Sequence, residues 1–155
     1  MRGSSSKQER PRIIATTHLC LLREREILLL LRANTGYADG QYGVPGGHVE
    51  PNETALAALV READEECGIE VDPSACRFAA VMHRFTAGET LPRVDFFFVA
   101  SAWSGQIRNA EPHKCDRLRW APLSDLPDNV MPYLRHVIEN ALDPPATYLE
   151  FGWPT

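Results

Sequence analysis

The 155-residue sequence has no Cys-x-x-Cys pair, no apolar run of membrane length and no excess of basic residues. Its cysteines, Cys20, Cys67, Cys76 and Cys115, are scattered, which excludes zinc-ribbon spacing and a secreted disulfide framework. Three of them sit inside apolar segments and read as reduced thiols of a cytoplasmic protein. Apolar runs such as Ile27–Leu31 fall far short of the roughly 18 residues of a membrane span, so no membrane partner is expected. The net charge is −5, from 16 basic and 21 acidic residues, which argues against binding a nucleic-acid polymer. An acidic chain can still hold a polyanion, but only through a local device such as a metal ion or a focused basic patch. Internal repeats and a splitting linker are also missing, and the length suits one domain at about 100–200 residues.

What is present divides into a polar leader over 1–11, expected to be disordered, a folded domain over 12–142, and a tail over 143–155 whose structure the pattern leaves open. Ile13–Leu22 and Glu26–Arg32 read as two strands of a hairpin. Ala33–Gly43 reads as a loop, and Val44-Pro45-Gly46-Gly47 as a turn. Glu53–Cys67 is the clearest helix, with Asn52 as its expected cap and Gly68 at its exit. Arg77–Phe85, Arg93–Trp103 and the short Leu118–Ala121 read as strands, and Asn129–Leu142 as a second helix. Strands and helices mix without βαβ alternation, which makes a doubly wound parallel sheet an unsuitable reading.

On the first helix, Leu56, Leu59, Val60, Ala63 and Cys67 form an apolar stripe. Glu62, Glu65 and Glu66 share an adjoining arc, above the small Ala55 and Ala58. Three carboxylates this close repel, and they lie near the helix C-terminus, where the macrodipole disfavours anions. Arg61 offsets only part of that charge. A divalent cation would resolve the conflict, and oxygen-only ligands favour Mg²⁺ or Mn²⁺. The alternative is a solvated acidic face, and the helix alone does not separate the two.

The flanking spacing does. Gly47-x5-Glu53-x7-Arg61-Glu62-Ala63-x-Glu65-Glu66-x-Gly68-Ile69 resembles the Nudix box at every fixed position, with Ala63 as a small residue at an apolar site. The resemblance implies an α/β (α+β) fold: a mixed sheet sandwiched between helices, with a loop–helix–loop holding the metal. It implies hydrolysis of a nucleoside diphosphate linked to another group. Glu62 and Glu66 match the main metal-binding glutamates, and Glu65 the third, which binds a further metal or orients water. Glu53 and Arg61 match a structural pair, with Gly47 and Gly68 framing the box. The Gly46 carbonyl would complete the metal site.

A second stretch, Glu111-Pro112-His113-Lys114-Cys115 followed by Trp120, resembles the region after the box in MutT-like nucleoside triphosphate pyrophosphatases. There Glu111 would be a last catalytic glutamate, or else simply opens a turn. His48 is read either as a phosphate contact or auxiliary base, or as a surface histidine. Asp128, Asn129 and Met131 are candidate base contacts, with helix capping the leading role for the first two. Trp120 reads first as a sheet-packing aromatic, and one of His83 and Arg84 can face a cleft. The expected reaction is Mg²⁺-dependent (or Mn²⁺-dependent) cleavage of a nucleoside triphosphate to monophosphate and pyrophosphate, with a homodimer allowed by the resemblance. Two alternatives stay open: a pyrophosphatase for ADP-ribose, sugar nucleotides or similar derivatives, and a catalytically silent nucleotide-binding module.

Overall fold

The computed structural model describes residues 9–155, so the first eight residues of the expected leader lie outside it. Residues 9–11 are exposed and carry no regular structure. Eight strands join in one mixed sheet: β1 (Ile14–Arg23), β2 (Glu26–Arg32), β3 (Tyr42–Gly43), β4 (Gly46–His48), β5 (Arg77–Arg84), β6 (Arg93–Ala100), β7 (Cys115–Pro122) and β8 (Thr147–Phe151). The helices are α1 (Ala55–Cys67) and α2 (Pro132–Asn140), and neither is long and apolar enough to cross a membrane. The main strand order is β3-β2-β1-β6-β5-β8, with β4 added to β1 and β7 to β2. β1 runs parallel to β6, and β5 parallel to β8; the other pairs are antiparallel.

The apolar runs are long because both faces of the sheet are covered. On β2, Leu28 and Leu30 face α1 while Ile27 and Leu29 face α2. Leu19, Leu21, Leu59, Ala63 and Cys67 complete the α1 core; Met82, Phe97, Leu134 and Val137 anchor the other. Burial pushes the Cys20 and Cys67 thiols up to about 12, so neither is a nucleophile near neutral pH.

Local chemistry differs from the sequence reading at several points. Asn52 does not cap α1: it sits at φ 68° in the preceding turn, and Thr54 caps instead, its hydroxyl accepting the Ala57 N–H at 3.0 Å. We therefore expect Thr54→Ala to cost about 1 kcal/mol in a denaturant titration. Asn52→Ala should leave the cap intact; a larger loss from Asn52→Ala than from Thr54→Ala would overturn the assignment. Gly46-Gly47 form strand rather than turn, because β4 is pressed so closely on β1 that a Cβ at Gly46 would lie 2.1 Å from the Thr17 carbonyl oxygen. The tail joins the sheet, with β8 along the edge of β5.

Neither Asp128 nor Asn129 caps α2, which starts after Met131 with Pro132 in its first turn and no side-chain cap bond. Proline has no N–H to satisfy there, so the need for a cap is reduced. Asn129 instead donates to the Gly40 carbonyl at 2.9 Å.

Candidate active site

One cleft of about 700 Å³ opens between β4, the exposed side of α1 and the loop before β7. Glu62, Glu65, Glu66 and Glu111 line one end of it. α1 supplies the first three because residues three and four apart share a helix face. Glu111 arrives by a different route. The loop ahead of β7 caps the end of α1, with the Arg108 N–H donating to the Cys67 carbonyl at 3.0 Å and the Ala110 N–H to the Glu66 carbonyl at 3.1 Å. Gly68 closes the same helix end at φ 65°.

Arg61 organises the entrance. It donates to both Glu53 carboxylate oxygens, at 2.7 and 3.2 Å, and to the His48 carbonyl at 3.2 Å. It also reaches Glu62 at 3.0 Å and Glu65 at 3.3 Å. The guanidinium thus ties the loop before α1 to the helix. Its hydrogen bonds, with that of the Glu50 N–H, hold the Glu53 carboxyl below the ordinary range.

Glu66 is half-buried, against β4. One of its oxygens accepts the Gly46 N–H at 2.8 Å. Burial, together with the charges of Glu62 and Glu111, still pushes its carboxyl up to about 8. Glu62 is raised as well, mainly by burial and against the pull of Arg61. The site therefore carries negative charge that its own donors do not neutralise. An all-oxygen set with that excess fits a hard divalent cation. Among the described residues, no three His, Cys, Asp or Glu side chains are gathered closely enough to hold an ion as they stand. The reason is visible: Glu66 is engaged by Gly46, and Glu62 and Glu65 by Arg61.

Gly47 is the close neighbour of this group. A Cβ there would fall 2.3 Å from Glu62 Oε1, so the carboxylate would have to swing away. Gly47→Ala is expected to lower kcat about tenfold or more through this misplacement. Because only a side-chain tip must move, the melting temperature should hold; a collapsed melt with full activity in the folded fraction would contradict this account.

Of the proposed substrate contacts, His48 and Met131 line the cleft, and Asp128 and Asn129 do not. The backbone explains the exclusion: the Asn129 carbonyl accepts the Tyr42 N–H, and its side chain is turned to Gly40. His48 Nε2 lies 3.2 Å from Arg93. Lys114 also lines the cleft and sits 3.5 Å from Glu111. Trp120 lies elsewhere, stacked on Trp103 at 6.0 Å and covered by Arg23.

Of the cleft floor, the sequence reading reaches only the choice between His83 and Arg84. Arg84 of β5 lines the cleft, while its neighbour His83 packs on Trp153 on the other face. Arg84 donates to both oxygens of Asp95, at 2.7 and 3.2 Å, and Asp95 also takes the Thr16 hydroxyl and His18 Nε2. The signal that could have revealed it is a charge inside an apolar strand, Asp95 beside Phe96-Phe97-Phe98.

Comparison with known proteins agrees with this geometry. The family model described as NUDIX domain matches residues 11–141. A crystal structure of a MutT NUDIX hydrolase from Burkholderia pseudomallei superposes with a TM-score of 0.76 at 30% identity, covering 84% of this chain and 98% of that one. The solution structure of the E. coli ORF135 protein gives 0.67 at 25% identity, covering 83% and 88%. Among curated proteins, human 8-oxo-dGDP phosphatase NUDT18 is 28% identical over 77% of this chain. The NAD-capped RNA hydrolase NudC of Stutzerimonas stutzeri is 25% identical, also over 77%. The chain spans 36% and 40% of the lengths of those two relatives. With a family model over most of the chain and a box helix that carries its glutamates into the cleft, the chain belongs to the NUDIX hydrolase family and is MutT-like.

Proposed function

We propose that the chain is a Mg²⁺-dependent pyrophosphohydrolase that cleaves a nucleoside triphosphate to a monophosphate and pyrophosphate. The observation that carries this is the convergence of Glu62, Glu66 and Glu111 at one end of a cleft, where burial first, and the neighbouring carboxylates after it, raise Glu66 to about 8. Likeness to a MutT hydrolase from Burkholderia and to NUDT18 and NudC, whose named substrates are nucleotide derivatives, supports a nucleotide over other anhydrides.

Glu62, Glu65 and Glu66, with the Gly46 carbonyl, would hold the metal. When bound, Mg²⁺ or Mn²⁺ supplies phosphate charge neutralisation and a more acidic water. Glu111, a quarter exposed at this end of the cleft, would accept a proton from an attacking water on a carboxylate oxygen. Lys114 and Arg32 line the same cleft and offer cationic donors to phosphate oxygens. His48, beside Arg93, adds a polar edge to the wall. Arg61 and Glu53 position the carboxylates.

The test is a panel of nucleoside triphosphates, ADP-ribose and sugar nucleotides with Mg²⁺ or Mn²⁺, separating pyrophosphate from the other products. Pyrophosphate from a triphosphate is expected. Cleavage of only diphosphate derivatives would move the substrate class. Binding of nucleotide without turnover of any of them would favour a silent module.

A further inference from the structure

β8 ends the sheet, and among the described residues no strand pairs with its outer edge. One bond tells which main-chain groups that edge presents. The Phe151 carbonyl accepts the Phe85 N–H at 3.0 Å, so the main-chain groups of Thr147, Leu149 and Phe151 face β5. By alternation, those of Tyr148 and Glu150 point away from the sheet. The devices that normally blunt such an edge are missing from it: the strand reads Thr-Tyr-Leu-Glu-Phe, with no proline, lysine or bulge. Pro145 and Pro154 stand just outside and bound the segment that can pair. Leu149 and Phe151 pack on the core beneath α2. Tyr148 is 60% exposed on the opposite side, its hydroxyl donating to the Glu150 carboxylate at 3.0 Å. It extends a row of half-buried apolar side chains, Val81 on β5 and Phe96 on β6, that belongs to neither core.

The geometry points to a second copy of this chain as the occupant of that edge: two β8 strands pair antiparallel about a twofold axis through Leu149, joining two sheets into one. The inference does not depend on the nucleotide reading. An interface between identical edges must be self-complementary, and this one is. With the axis at Leu149, Tyr148 falls opposite the partner's Glu150. Both residues have outward N–H and C=O groups, so each of the two such pairs exchanges two hydrogen bonds. The charges agree as well. Glu150 is the one charged side chain of the strand, and it meets a tyrosine hydroxyl. An axis at Glu150 would set carboxylate against carboxylate, and one at Tyr148 would place Glu150 opposite Ala146, outside the strand. The apolar rows that end in Tyr148 then meet on one side of the joined sheet. The leader offers no alternative cover for that row, since it has no large apolar side chain between Arg2 and Arg10.

The experiment follows the molar mass of the full chain by light scattering through a dilution series, with melting temperatures measured alongside. The variants are Tyr148→Lys, the double variant Tyr148→Lys with Glu150→Lys, Leu149→Cys and Tyr148→Cys. The wild type should form a dimer that dissociates on dilution, as befits a short interface. Tyr148→Lys sets a cation opposite the partner's Glu150 and should dimerise at least as tightly. The double variant sets lysine against lysine twice and should dimerise about tenfold or more weakly, with its melting temperature as a monomer unchanged because both side chains are exposed. Oxidised glutathione should cross-link Leu149→Cys, whose paired Cα atoms lie about 4.5 Å apart across the axis. It should not cross-link Tyr148→Cys, where the two positions are diagonal at about 7–8 Å. A wild type that is monomeric at every concentration overturns the inference, and so does a double variant that dimerises as the wild type does. Cross-linking at Tyr148→Cys in place of Leu149→Cys would also overturn it, by giving the edge another register.

Discussion

Glu66→Gln is expected to lower kcat by about 10³-fold or more while the protein remains folded, since the proposed metal site would lose both a charge and a ligand. The substitution keeps the shape and the acceptor for the Gly46 N–H. The same variant carries a second signature. The Glu66 carboxyl is raised from 4.5 to about 8, so the folded chain binds its proton more tightly than the unfolded chain does. Its contribution to stability is full below about pH 4.5 and is lost as pH rises through about 8. Without added divalent cation, the wild type should therefore melt progressively lower across that window, and the glutamine variant should lack this part of the slope. Added Mg²⁺ should raise the wild-type melting temperature most at the alkaline end. Parallel slopes for the two proteins, or an undiminished kcat, would refute the placement of Glu66 at the metal.

Asp95→Ala carries the largest expected cost in stability, about 3–5 kcal/mol, because it leaves the Arg84 cation buried with no counter-charge. The Thr16 hydroxyl and His18 lose their shared acceptor at the same time. Burial alone would raise the Asp95 carboxyl, but the bonds and charges of His18 and Arg84 hold it well below the ordinary range. The pH dependence therefore has the opposite sign to that of Glu66. The stabilisation is complete above the ordinary carboxylate range, near 3.8, and is lost as pH falls towards the depressed folded value. Urea titrations should show a gap between wild type and variant that is widest near neutrality and narrows in acid. Replacing both partners with apolar side chains should recover part of the loss. An Asp95→Ala protein as stable as wild type would show that the pair is solvated.

The features legible in the sequence are those written in local spacing. The box glutamates, α1, the β1–β2 hairpin and the apolar strands β5 and β6 each follow from residues a few positions apart. What escaped depends on distant partners. Gly46-Gly47 looked like a turn because the pair breaks local periodicity; only the approach of Thr17 makes it a strand. Asn52 reads as the cap from its residue type, but the helix starts two residues later than the pattern suggests and Thr54 takes that place. Asp128 and Asn129 were attractive as polar groups near α2, but the β3 contact turns Asn129 away. The cleft floor joins residues 77, 79 and 11 positions apart, so no window along the chain contains it. Glu111 is singled out by a second motif, and its position in the cleft follows from amides that finish a helix some forty residues earlier.

β8 has a reach beyond its own edge. It is aligned with β5 from Ala80 to Arg84, where Phe151 lies opposite Arg84 and its carbonyl takes the Phe85 N–H. The last dozen residues therefore brace, from behind, the strand whose tip forms the base of the cleft. Trimming the chain after Leu142 would remove β8 and leave that edge of β5 unpaired, so the loss should reach Arg84 before it reaches the glutamates of α1.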